Sequence, residues 1–198
     1  MRLIAFGCSL TYGHGLPDCF VPPYSPGPNP SKLAWPELVA KATNRECINT
    51  SAPGSSNKKI WNTILNFDFK DDDLIFIHWS FPARTAMIQA HGVVDISHNN
   101  KHDLYYQNFH DDYDSEVMSK LFVNHANFYL NNKNLKVYNL VANRKLQSIL
   151  TLKEMITPHI PVYIQDSIKK FPYALDGSHP GVECHEHYSK QILEELGK

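Results

Sequence analysis

The run Leu74-Ile75-Phe76-Ile77-His78-Trp79 constrains the fold more than any other stretch of the chain. Its residues do not alternate between apolar and polar, so a strand built from them needs cover on both faces. A central strand of a parallel sheet with helices above and below meets that condition. Leu3-Ile4-Ala5-Phe6, ending at Gly7, reads the same way. Between them, Glu46-Cys47-Ile48-Asn49 gives a weaker strand. Three strand-loop-helix units in series then predict an α/β fold with a mainly parallel sheet and right-handed crossovers.

The connecting segments fill in the rest. Val21 to Ser31 holds prolines 22, 23, 26, 28 and 30, a composition that forbids helix and does not sustain a ladder. Ser31 is the expected cap of a helix presenting Leu33, Trp35, Leu38 and Val39, with Pro36 in its first turn. Ser51 to Asn57 is rich in turn residues and leads into a helical pattern at Ile60, Trp61 and Ile64. A polar stretch at about 91–113 breaks the rhythm and reads as an insertion or lid loop within a single domain spanning 1–198. Two helices are expected over about 115–156, interrupted near 131–134. A last strand at Val162-Tyr163-Ile164-Gln165 and a closing helix over Tyr188–Leu196 complete the reading.

Composition removes several classes of function. Lys plus Arg (19) almost cancels Asp plus Glu (20), so there is no field to draw in nucleic acid or an anionic membrane. No stretch reaches the roughly 18–20 apolar residues of a membrane span. No secretory leader is visible after Met1-Arg2, and a cytoplasmic location is expected. Cys8, Cys19, Cys47 and Cys184 form no Cys-x-x-Cys pair and are read as reduced thiols.

In a parallel sheet, ligands gather beyond the carboxyl ends of the strands. Three loops on that edge hold chemistry-bearing residues. Gly7-Cys8-Ser9-Leu10-Thr11 follows the first strand, where a serine either caps a helix or acts as a nucleophile beside free backbone N–H groups. Gly54, in a Pro-Gly pair, is either a turn residue or an N–H donor to a reacting carbonyl. Asp176-Gly177-Ser178-His179-Pro180 precedes the last helix. An aspartate three residues before a histidine can hold the imidazole Nδ1–H and leave Nε2 free to take a proton. His179, Cys184, His185 and His187 match no common zinc spacing, so neither metal nor cofactor is expected.

Taken in order, these three blocks resemble the SGNH/GDSL hydrolase superfamily. The resemblance implies a three-layer α/β/α, flavodoxin-like fold and a serine esterase acting through an acyl-enzyme. Ser9 becomes the nucleophile, Asp176 and His179 the acid and base, and Gly54 an oxyanion-hole donor. Two positions depart from the family pattern. Cys8 stands where the name-motif has aspartate, outside the triad. After the central strand the chain reads His78-Trp79-Ser80-Phe81 instead of Gly-x-Asn-Asp, so Ser80 takes the place of the asparagine that completes the oxyanion hole. Losing one such donor costs about a hundredfold to a thousandfold in rate. Arg84 follows closely and is a candidate to bind a carboxylate or phosphate on a substrate. The implied substrates are small-molecule or carbohydrate esters. The compact chain also resembles small hydrolases carried by bacteria and their viruses.

Two other readings stand beside this one. A hydrolase fold that has lost its chemistry would serve recognition or assembly. A flavodoxin-like module would use Gly7 to Gly15 to cradle a phosphate or nucleotide, but would leave Asp176 and His179 without a role. The α/β-hydrolases share the order Ser, Asp, His but need a Gly-x-Ser-x-Gly elbow that is absent here.

Overall fold

The computed structural model describes residues 1–96 and 103–197. In chain order the elements are β1 (Arg2–Phe6), α1 (Ser9–Tyr12), β2 (Phe20–Val21), β3 (Ser25–Pro26), α2 (Trp35–Ala42), β4 (Glu46–Asn49), α3 (Asn57–Leu65) and β5 (Leu74–Trp79). There follow β6 (Thr85–Gln89), β7 (Gly92–Ile96), α4 (Asp103–Asn108), α5 (Asp112–Asn131), β8 (Lys136–Val141), α6 (Arg144–Ile149), α7 (Ile164–Ile168) and α8 (Val182–Leu196).

The main sheet has the order β4-β1-β5-β8 and every pairing is parallel. Leu3 to Phe6 and Leu74 to Trp79 are buried throughout, as strands without alternation must be when helices cover both faces. Each fully buried Leu, Ile or Phe contributes about 2 kcal/mol, so these two strands anchor the core. The crossover connections distribute the helices. The β1-to-β4 step carries α2 to one face, where it packs on α8, and the steps to β5 and β8 run the other way and place α3 against α5. Connections leaving β1 and β5 thus diverge, and the crevice between their carboxyl ends is the switch point where ligands bind in such sheets.

Helix starts follow local hydrogen bonding. The Ser56 side chain accepts from the Lys59 N–H to begin α3, and the Asp111 side chain accepts from the Asp114 N–H to begin α5. No helix among the described residues is long and apolar enough to cross a membrane.

Several sequence expectations are corrected. Residues 136–141 form β8 rather than helix: Asn139, fully buried in that strand, accepts from Trp79 Nε1 (2.7 Å) and donates to Asn127 and Thr157, so the polar residue that breaks the apolar run is satisfied inside. The expected strand at Val162–Gln165 is absent. Pro161 has no N–H for a ladder, the chain pairs with β8 through an isolated Asn139–His159 bridge, and Ile164 onward turns into α7. Ser31 caps nothing. It receives the Leu33 N–H and donates to Asp18, and α2 starts at Trp35 behind Ala34. The proline-rich loop does sustain a ladder, the two-residue pair of β2 and β3. Within the stretch read as an insertion at about 91–113, β7 and α4 are regular elements, and its residues 97–102 lie outside the described residues. The closing helix starts at Val182, not Tyr188.

Candidate active site

Ser9 is the first residue of α1, directly beyond β1, and is 6% exposed. Its carbonyl accepts from the Gly13 and His14 N–H groups (3.0 and 3.2 Å), and the Cys8 carbonyl accepts from Thr11 and Tyr12. These bonds pin a tight turn at the sheet edge. The loop after β4 is tied to it at two points. The Ala52 N–H donates to the Gly7 carbonyl (3.3 Å), and the Asn49 side-chain amide donates to the Thr11 carbonyl (2.8 Å). Gly54 takes the third position of a turn closed by the Ser55 N–H on the Ala52 carbonyl. Its φ of +79° is the left-handed conformation that position requires, and open space lies where a side chain would be.

Ser80 is reached through register. Phe6 pairs with Ile77, and Ser9 and Ser80 each lie three residues further along the chain, beyond the carboxyl ends of these adjacent strands. Ser80 is 1% exposed, and Asn57 clamps its backbone from α3: the Ser80 N–H donates to Asn57 Oδ1 (2.7 Å), while Asn57 Nδ2 donates to the Ser80 carbonyl (3.0 Å). The hydroxyl oxygen accepts from Arg84 Nη1 (3.1 Å), which leaves the hydroxyl hydrogen for another acceptor. Arg84 also lies over the Phe81 ring at 5.1 Å.

Asp176 and His179 form one compact unit. Asp176 Oδ1 accepts from the Ser178 and His179 N–H groups, both at 3.0 Å, and Oδ2 meets His179 Nδ1 at 2.5 Å. The carboxylate side chain is 4% exposed and the imidazole 23%. Burial alone would raise the Asp176 pKa, but the two backbone N–H groups and the imidazole outweigh it and bring it down to about 2. Burial pushes the His179 imidazole below its ordinary value. Asp176 opposes that shift, and the charges of His14 and Arg84 add to it.

The sequence reading missed the residues that join these blocks. His14, five positions after Ser9, lays its ring 4.6 Å from that of His179, and its Nε2 lies 3.1 Å from the Tyr24 carbonyl. Gly15 accepts the Leu175 N–H on its carbonyl, and a Cβ on it would lie 2.8 Å from Asp176 Cγ. The His14-Gly15 pair after the serine turn was the available signal. Asn57, taken only as the end of a loop, is the strut under Ser80. The structure therefore ties the turn that begins at Ser9 to the Asp176 loop through residues 13–15, with His14 lying against His179, and joins Ser80 to Arg84. Replacing Gly15 with Ala is expected to lower the thermal midpoint by several degrees and hydrolysis at least tenfold. The new methyl group strikes Asp176, and φ of +85° costs a non-glycine residue about 1–2 kcal/mol. Unchanged melting and rate would show that the Asp176 loop is not held against Gly15.

No family model matches the chain, and no curated protein matches it by sequence. Solved structures do match. TesA has a TM-score of 0.64 at 11% identity over 99% of this chain and 98% of its own. A carbohydrate esterase whose active site displays divergent catalytic and non-catalytic binding functions has a TM-score of 0.66 at 12% identity, over 100% of this chain and 68% of its own. A GDSL-like lipase from Bacteroides thetaiotaomicron has a TM-score of 0.56 at 11% identity, over 99% of this chain and 87% of its own. The chain thus has the α/β/α fold of the SGNH/GDSL hydrolases, as its three sequence blocks imply.

Proposed function

We propose that the protein is a serine esterase of the SGNH type, a single hydrolase domain that cleaves small-molecule or carbohydrate esters through an acyl-enzyme. The observation that carries this reading is the Asp176–His179 unit: a buried carboxylate held by three donors with the imidazole Nδ1 as one of them. Such a carboxylate fixes the tautomer with the proton on Nδ1, so Nε2 carries a lone pair. His179 takes the Ser9 hydroxyl proton at Nε2, and Ser9 Oγ attacks the ester carbonyl. The backbone N–H groups of Ser9 and Gly54 and the Ser80 hydroxyl hold the oxyanion, with Arg84 donating onto Ser80 from behind. The imidazolium then protonates the leaving alcohol, and a water deprotonated by the same nitrogen releases the acid. TesA, the carbohydrate esterase and the GDSL-like lipase support the hydrolase class, since all share this fold.

The test is intact-mass analysis after incubation with a fluorophosphonate, which needs no knowledge of the substrate. One adduct is expected on the native chain, none on Ser9→Ala and a slowed reaction on His179→Ala. A folded native chain that takes no adduct would overturn the mechanism and favour a recognition role for the fold.

A further inference from the structure

A cavity of about 200 Å³ opens beside Ser80, between the start of the β6–β7 hairpin and α5. Its walls combine two cationic side chains, Arg84 and Lys58, with the hydroxyl-bearing Thr85 and Ser119, and with Met118 and Phe122 as an apolar side. One carboxylate, Asp114, lines it, which leaves the lining with one more positive charge than negative. Neither cation makes an ion pair among the described residues, although Lys59, the neighbour of Lys58, is paired with Asp95 at 2.7 Å. Arg84 is only partly exposed, and its guanidinium is held in place by Ser80 Oγ and the Phe81 ring. A guanidinium kept without a carboxylate partner in a concave site is a ready-made receptor for an oxyanion, because its fork of N–H groups fits carboxylate and phosphate alike.

The cavity is joined to the proposed reaction centre by bonded residues. Arg84 donates to Ser80, and Ser119 accepts from the same Asn57 amide that clamps the Ser80 backbone. We infer that this cavity binds an anionic oxyacid group, carboxylate or phosphate, carried by the ester that the site cleaves. This rests on the esterase reading above and narrows its substrate class: the preferred esters carry a negative charge on the part that lies beyond Ser80, next to an apolar portion that packs on Met118 and Phe122.

Three aryl acetates of similar size test the inference: 4-tolyl acetate, which is neutral, 4-acetoxybenzoate and 4-acetoxybenzyl phosphate. At least one anionic ester is expected to exceed the neutral one by about tenfold in kcat/KM, and which one does separates a carboxylate ligand from a phosphate. Lys58→Gln should reduce the anionic-to-neutral ratio severalfold and Asp114→Asn should raise it. A ratio at or below one, in protein whose Ser9 takes the fluorophosphonate, overturns the anion site and leaves the esterase reading standing. If Ser9 takes no adduct, the esterase reading falls and calorimetric titration with 4-hydroxybenzoate and with inorganic phosphate decides the site by itself. Binding weakened severalfold in Lys58→Gln supports it, and absence of binding overturns it.

Discussion

Replacing Asp176 with Asn is expected to lower kcat/KM for aryl ester hydrolysis about ten-thousandfold in a chain that stays folded. The size of the effect follows from the tautomer. Two backbone N–H groups, those of Ser178 and His179, converge on Oδ1 and demand an acceptor there. An asparagine therefore turns its oxygen to them and its NH2 to His179 Nδ1, where the native carboxylate places an acceptor. The imidazole must then accept at Nδ1 and carry its proton on Nε2, the nitrogen that has to remove the Ser9 proton. The shape of the loop is preserved and the base is disabled. A pH profile separates this from simple damage. In the native protein the base must be neutral, and burial places the His179 pKa below its ordinary value, so activity rises with pH across that lowered pKa and is on its plateau at pH 7. Asp176 is the group that opposes the lowering. Without its charge the residual activity of Asp176→Asn should show its acid limb at still lower pH. A variant within tenfold of the native rate would mean that Asp176 does not orient the base.

The elements that could be read from the sequence are those whose environment is uniform along their length. β1 and β5 are buried on both faces, so a run of apolar residues suffices to mark them. β8 has the same environment but contains Asn139, and the sequence alone does not show that Trp79, Asn127 and Thr157 satisfy that amide inside the core. The β6–β7 hairpin was hidden for the opposite reason. Met87, Ile88 and Val94 are exposed, so its strands carry no alternation keyed to a buried face. The site divides in the same way. The Asp176 to His179 spacing is a local geometry that one turn can satisfy, and it was legible. His14, Gly15 and Asn57 act across the fold, through a ring contact, a missing Cβ and a clamp 23 positions distant; only the adjacency of His14 and Gly15 to the serine turn hints at such roles, and no local spacing announces that of Asn57.

Acid should destabilise the protein well before its carboxylates are protonated, by on the order of 3 kcal/mol for each of two histidines between pH 7 and pH 4. His78 and His185 are buried, and neither Nε2 finds a partner among the described residues. Burial pushes His78 down to about 4, against the opposing influence of the Val141 backbone. Burial pushes His185 down to about 3, with the charges of His78 and His179 adding to it. Both imidazoles are thus neutral in the folded chain over a range where the unfolded chain binds protons, and the unfolded state takes up more protons as pH falls. Stability is accordingly full above about pH 6.5 and declines from there toward pH 4. Against a total of about 5–15 kcal/mol for a typical domain, a loss of that size brings the chain to the edge of unfolding. The carboxylates act in a lower window. Asp176, at about 2 when folded, stabilises above its ordinary value of 3.8 and loses that contribution as pH falls through about 2. Urea unfolding at pH 7, 5 and 4 measures the slope, and His78→Gln should remove about half of it. An unchanged slope in that variant would place the acid sensitivity elsewhere. The location ties stability to chemistry: His78 Nδ1 bonds the Thr11 hydroxyl in α1, two residues after Ser9, and His185, one turn into α8, accepts the Trp35 N–H at the start of α2. Proton entry there loosens both supports of the site at once. Activity in acid should therefore fall in two stages, a reversible one with the lowered His179 pKa in a folded chain, and a steeper one that coincides with the loss of tryptophan burial.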